Sequence, residues 1–185
     1  MRINNSLRTL FVINSIFVFA SQLLSPLYAI YVQKFGNGVV LAGTSVSVLL
    51  LSSTLFLALI SKWGSAVKEK EHMLAVGYLL RAIGWFAYIF ISDAFSLIML
   101  QILFGLGEAL GTPAFSAIFA EHVNKKDNVE KYADWSIISN TIMALAAVLG
   151  GVLVNSFGFN ILFIVMSIMA FVSFVSVVLL PRNVL

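Results

Sequence analysis

Six stretches of this chain are long and apolar enough to cross a bilayer, and no other feature restricts its fold so strongly. They lie at about 10–33, 39–61, 73–92, 95–120, 134–155 and 159–180. Spanning ~30 Å of hydrocarbon takes roughly 20 helical residues, and each stretch meets that length. Lipid offers no partner to a backbone N–H or C=O, so each stretch is expected to be an α-helix. The breaks have turn chemistry. Lys34-Phe35-Gly36-Asn37-Gly38, Ser92-Asp93-Ala94 and Asn155-Ser156-Phe157-Gly158 are short, whereas 62–72 and 121–133 are longer and charged. Residues 1–185 therefore read as a single all-α membrane domain, a six-helix transmembrane bundle.

Composition excludes the main soluble alternatives. Apolar residues make up 61% of the chain and charged residues 10%, against about half and a quarter in an ordinary globular domain. With no cysteine, disulfides and thiolate metal sites are ruled out. Both histidines, His72 and His122, fall at segment ends, where they cannot serve a Ser/His hydrolase inside the membrane. There is no phosphate loop and no cluster of metal ligands. The reading is a non-enzyme with no cofactor and no metal. Arg2 and Arg8 precede an apolar run as in a signal peptide, but the run is too long and lacks a small-x-small cleavage site.

The placement of charge predicts orientation. Of the 11 basic residues, Arg2, Arg8, Lys62, Lys68, Lys70, Lys125, Lys126, Lys131 and Arg182 fall on one side, Lys34 falls on the other, and Arg81 lies within the third segment. The crowded side is expected to be cytoplasmic, with both termini there, in an inner (cytoplasmic) or plasma membrane. These charges sit in short loops and form no face for nucleic acid.

Polar residues inside the apolar segments are the candidate functional groups. Glu108 lies roughly 18 Å deep at 1.5 Å per residue. A carboxylate there costs about 2.5–3.5 kcal/mol on insertion scales, so it should face a cavity or the bundle interior. Two roles remain open: a substrate or coupling carboxylate, or a buried ion pair with Arg81 at matching depth. Gln101 and Thr112 share its helix face at spacings of seven and four. Gly107 and Gly111 form a small-xxx-small pair for close helix approach. Asn14, Ser21, Gln22, Ser25 and Tyr28 form a polar stripe on the first segment, read as cavity lining. Ser45, Ser52, Ser136 and Asn140 read as helix packing. Trp63, Tyr132 and Trp135 read as interfacial anchors. Pro26 and Pro113 are expected helix kinks.

A weak repeat links the two halves. Ser25-Pro26-Leu27-Tyr28 and Thr112-Pro113-Ala114-Phe115 both read hydroxyl, proline, aliphatic, aromatic. Lys62-Trp63-Gly64 and Ser156-Phe157-Gly158 close the second and fifth segments. Segments 1–3 thus parallel 4–6, and an odd unit repeats with inverted topology, as in many secondary transporters.

The order Gln101-x-x-Phe104-Gly105-x-Gly107-x-Ala109-x-Gly111-x-Pro113, closing with Glu121, resembles the fourth helix of the major facilitator superfamily. The loop after the second segment is similar to that family's cytoplasmic signature. Gly150-Gly151 before Phe157-Gly158-Phe159 resembles its fifth helix. The resemblance covers the six-helix N-terminal half of a usual twelve-helix fold. The chain departs from the pattern at Ser61, Lys62, Gly64, Ser65 and Ala66, where the signature's acid is missing, and at Gln101, where the family has arginine. The resemblance implies a half-size secondary transporter of a small, amphipathic solute, working by alternating access. Its second wall would come from a homodimer partner or another six-helix half. Lipids and substrate are the other expected partners. The other reading is a non-transporting accessory or truncated subunit that pairs with another chain.

Overall fold

The computed structural model describes residues 5–36, 38–62, 70–123 and 128–180, and all of its regular structure is helical. Helix α1 (Asn5–Leu24) leads through a 3-10 turn (Ser25–Leu27) into the short α2 (Tyr28–Val32) and a second 3-10 turn (Gln33–Phe35). Then follow α3 (Gly38–Ser61), α4 (Lys70–Ala87) with a 3-10 turn at Tyr88–Phe90, α5 (Ala94–Glu121) and α6 (Asn128–Leu179). Five helical stretches among the described residues are long and apolar enough to cross a membrane: Ser6–Phe35, Gly38–Ser61, Lys70–Phe90, Ala94–Glu121 and Val129–Leu179. The readings placed on Arg2, Trp63, Gly64, Ser65, Ala66, Lys68, Lys125, Lys126 and Arg182 lie outside the described residues.

The last two expected segments form one element of 52 residues, interrupted only at Gly158 (φ 79°, ψ 176°). The expected turn at Asn155-Ser156-Phe157-Gly158 is thus narrower than its composition implied, because three of its four residues stay helical. Gly158 occupies backbone space open essentially to glycine alone. Contacts with α1 show what this break does. Trp135 meets Phe11, and a Cβ on Gly150 would lie 2.9 Å from the carbonyl carbon of Leu23. Residues 128–157 therefore rise alongside α1. Beyond Gly158, Phe163 meets Tyr31, and Ser173 Oγ donates to the Ile13 carbonyl at 3.2 Å. Residues 159–179 run back down.

The first expected segment is also divided. Pro26 sits in the opening positions of the Ser25–Leu27 turn, where its missing N–H does least harm. Pro113, by contrast, lies inside α5, which continues to Glu121. The chain leaves α4 through extended backbone at Ile91 (ψ 126°). Asp93 then caps α5, accepting the Ser96 N–H at 2.9 Å on Oδ1 and the Ser96 hydroxyl at 2.8 Å on Oδ2. These bonds, the backbone N–H first, hold the exposed Asp93 carboxyl below its ordinary range.

Small residues set the helix spacing. Gly77 of α4 faces Gly107 and Gly111 of α5, and Gly105 of α5 faces Ser52 and Ser53 of α3. Two apolar clusters result. One gathers Leu23, Tyr31, Trp85, Phe104 and Phe163. The other gathers Leu10, Phe11, Tyr78, Ile118 and Phe119 at the end that carries Lys70 and Glu121, which pair with each other. Phe17 packs against both clusters. The polar site lies at the level of Phe17.

Candidate transport site

Glu108 stands at the middle of the 28-residue α5, roughly 20 Å from either end at the helical rise. It forms an ion pair with Arg81 of α4, Nη2 to Oε2. Its other oxygen, Oε1, accepts the Thr112 hydroxyl at 2.6 Å, one turn along the same helix. The Arg81 side chain is 16% exposed and that of Glu108 is 35% exposed, so the carboxylate is the more reachable partner. The Arg81 guanidinium also lies 5.3 Å from the centre of the Phe17 ring, a cation–π placement. Gly107 matters locally: a Cβ there would come within 3.2 Å of Arg81 Cγ. The arginine reaches Glu108 because position 107 carries no side chain.

The pair stands between two cavities and lines both. The larger, of about 280 Å³, includes Asn14, Gln22, Thr112, Phe115 and Trp135 in its wall. The smaller, of about 190 Å³, includes Tyr28, Trp85, Tyr88 and Gln101. Ser21, Arg81 and Glu108 are common to the two walls.

The other expected site residues divide into several groups. Asn14 is buried and accepts the Tyr78 hydroxyl at 2.6 Å, so it ties α1 to α4 while edging the larger cavity. Gln101 is only 2% exposed. Its Nε2 donates to the Tyr28 hydroxyl at 2.9 Å and the Tyr88 hydroxyl at 3.0 Å. Tyr28 in turn donates to Ser45 Oγ at 2.7 Å. Gln101 therefore anchors α2, α3 and α5 to one another at the rim of the smaller cavity. Ser25 is exposed and lines neither cavity, because the turn at Pro26 rotates it out of the stripe. Ser136 and Asn140, read as helix packing, are exposed, and the neighbouring Ser139 lines the larger cavity.

Several lining residues carried no signal as sites. Neither Tyr78 nor Gly77 stands out in the sequence, yet both line the larger cavity. Trp135 read as an interfacial anchor, yet it is half-buried, packs against Phe11 and Phe115 at ring separations of 4.9 and 5.2 Å, and lines the larger cavity. Helical register on the fifth segment places Trp135 and Ser139 four apart on one face. That spacing was the available clue.

A family model described as Major Facilitator Superfamily matches residues 10–184. The chain belongs to the Major Facilitator Superfamily. No curated protein and no solved structure matches it. Membership assigns the chain to a family of multi-pass membrane transporters rather than enzymes, in keeping with its apolar helices. Within this Major Facilitator Superfamily chain, the Arg81–Glu108 pair is the one ion pair among the described residues that joins two helices at mid-depth. Lys70–Glu121 and the Lys131 pairs with Glu130 and Asp134 lie at helix ends.

Proposed function

We propose that this chain forms one wall of a secondary transporter that moves a small amphipathic solute by alternating access. It crosses the inner or plasma membrane six times, with both termini in the cytoplasm. Segments 1–3 and 4–6 are related as an inverted repeat about the reversal points. The observation that carries this reading is the Arg81–Glu108 pair. It lies at mid-depth between two cavities, with Glu108 still reachable. A charge held so deep in a membrane belongs to a cavity or pathway. Thr112 holds Glu108, Asn14, Gln22, Tyr28 and Gln101 add polar groups to the cavity walls, and the aromatic walls suit an apolar body.

Glu108, Thr112 and Ser116 follow one face of α5, and Thr112 and Ser116 are exposed. Left against lipid, that face would present a carboxylate to hydrocarbon. A second wall must therefore cover it. We assign that wall to a second copy of the chain, related by a twofold axis along the membrane normal. Two copies of Glu108 would then border one central space.

Two measurements test the reading. Purified protein in proteoliposomes is given a panel of amphipathic cations, anions and zwitterions, first by thermal stabilisation and then by counterflow. Saturable exchange above that of empty liposomes is expected for at least one class; none, in protein that melts cooperatively, refutes transport. For the second wall, the absence of native cysteine allows clean thiol chemistry. Ser116→Cys should give a cross-linked dimer with a short bifunctional reagent, while Leu55→Cys at an exposed position of α3 should not. A transport-active preparation that is wholly monomeric by native mass removes the homodimer.

A further inference from the structure

We propose that the solute recognised at this site is a small zwitterion with an apolar or aromatic flank, its ammonium taken by Glu108 and its carboxylate by Arg81. The inference rests on the transport reading and narrows its substrate class. It starts from charge balance. Among the described residues, Arg81 and Glu108 are the only charged ones lining the two cavities, and they neutralise each other by direct contact. A ligand with a single charge can engage one of them only by drawing it from the other. That leaves a partly buried charge without its counterion, which is strongly unfavourable. A zwitterion exchanges both partners at once. Glu108 trades a guanidinium for an ammonium, Arg81 trades one carboxylate for another, and no charge is stranded.

The geometry fits such an exchange. Glu108 is positioned by Thr112 from its own helix, so it keeps an anchor when Arg81 lets go. Arg81 rests on the Phe17 ring, so its guanidinium keeps a favourable surface when Glu108 lets go. Beside the ion pair, the larger cavity is walled by two aromatic pairs. Phe17 stacks on Tyr78 at 4.4 Å, and Phe115 lies 5.2 Å from Trp135. They offer flat apolar surface to the solute's flank. The two cavities on either side of the pair, about 280 and 190 Å³, give room for an entering ligand and for the displaced side chains.

Three probes that share one skeleton test the idea: L-phenylalanine (zwitterion), phenethylamine (cation) and 3-phenylpropionate (anion). With the wild-type chain in proteoliposomes, L-phenylalanine should raise the melting temperature and undergo counterflow. Each singly charged analogue should bind at least about tenfold more weakly, because stranding one member of the pair costs more than a decade of affinity. Crossed variants sharpen the test. Arg81→Gln leaves Glu108 free and should shift preference to phenethylamine. Glu108→Gln leaves Arg81 free and should shift it to 3-phenylpropionate. If either variant fails to fold, the wild-type ranking decides alone. Wild-type preference for a singly charged analogue overturns the zwitterion and leaves transport standing. So does exchange of some other amphipathic solute with none of the three. No exchange of any solute overturns both readings.

Discussion

The α4–α5 contact makes a prediction that a symmetric view of glycine packing would not. A Cβ built on Gly77 meets Gly111 Cα at 2.7 Å, Gly111 N at 2.8 Å and the Gly107 carbonyl oxygen at 3.0 Å. All three are backbone atoms, which cannot rotate aside, so α4 and α5 must move apart. A Cβ on Gly111 meets only Gly77 Cα, at 3.7 Å, an ordinary contact. The two glycines touch each other, yet only one lacks room, because Cβ vectors lean along each helix rather than straight across the interface. Overpacking costs about 1–3 kcal/mol, while alanine gains ~1 kcal/mol over glycine in a helix. Gly77→Ala should therefore range from little change to a loss of about 2 kcal/mol. Gly111→Ala should lie between no change and a gain of about 1 kcal/mol. The helix gain is common to both variants, so they differ by the overpacking cost alone; at about 2–4 °C per kcal/mol for a chain of this length, the two melting temperatures should differ by roughly 2–12 °C. Thermal unfolding of both variants in one detergent, followed by tryptophan fluorescence, measures the gap. A Gly111→Ala variant as damaged as Gly77→Ala would refute the account of this interface.

Two further outcomes follow from the backbone and from Asp93. Gly158→Ala should cost about 1–3 kcal/mol from backbone strain alone, since a Cβ there would meet nothing within 4 Å. A melting temperature equal to that of wild type would show that the reversal does not need this conformation. Asp93 has its carboxyl pKa lowered by the Ser96 bonds. Its contribution is fully present above the unfolded value, about 3.9, and is lost as pH falls through the lower folded value. Between neutral pH and acid, Asp93→Asn should therefore lose less stability than wild type; an identical acid profile for the two would exclude Asp93 as a source of acid sensitivity.

Much of the site was legible because membrane depth is easy to read from sequence. Glu108 and Arg81 stand out as charges in long apolar runs, and their depths match when counted in helical residues. Helical spacing put Thr112 on the face of Glu108. Of the stripe on the first segment, Asn14, Gln22 and Tyr28 line the cavities and Ser25 does not. Helical periodicity assumes an unbroken helix, and the turn at Pro26 changes the register. Gln101 was read as a solute contact, whereas its amide is committed to two tyrosine hydroxyls. Hydrogen-bond partners from two separate elements cannot be counted along a sequence. Trp135 illustrates the converse error. Position near a segment end suggested an anchor, but ring packing against α1 and α5 draws it inward.

By itself the sequence determined that this chain is helical and made for lipid, because long apolar runs leave the backbone no other way to satisfy its hydrogen bonds. It determined the family as well, through the order of small and polar residues along α5. Only the tertiary structure decided that Arg81 meets Glu108, that the pair divides two cavities, and that Gly77 rather than Gly111 is the crowded partner. Those facts depend on the rotation and separation of helices about their axes. These are set by packing among side chains distant in the chain, and no local pattern encodes them.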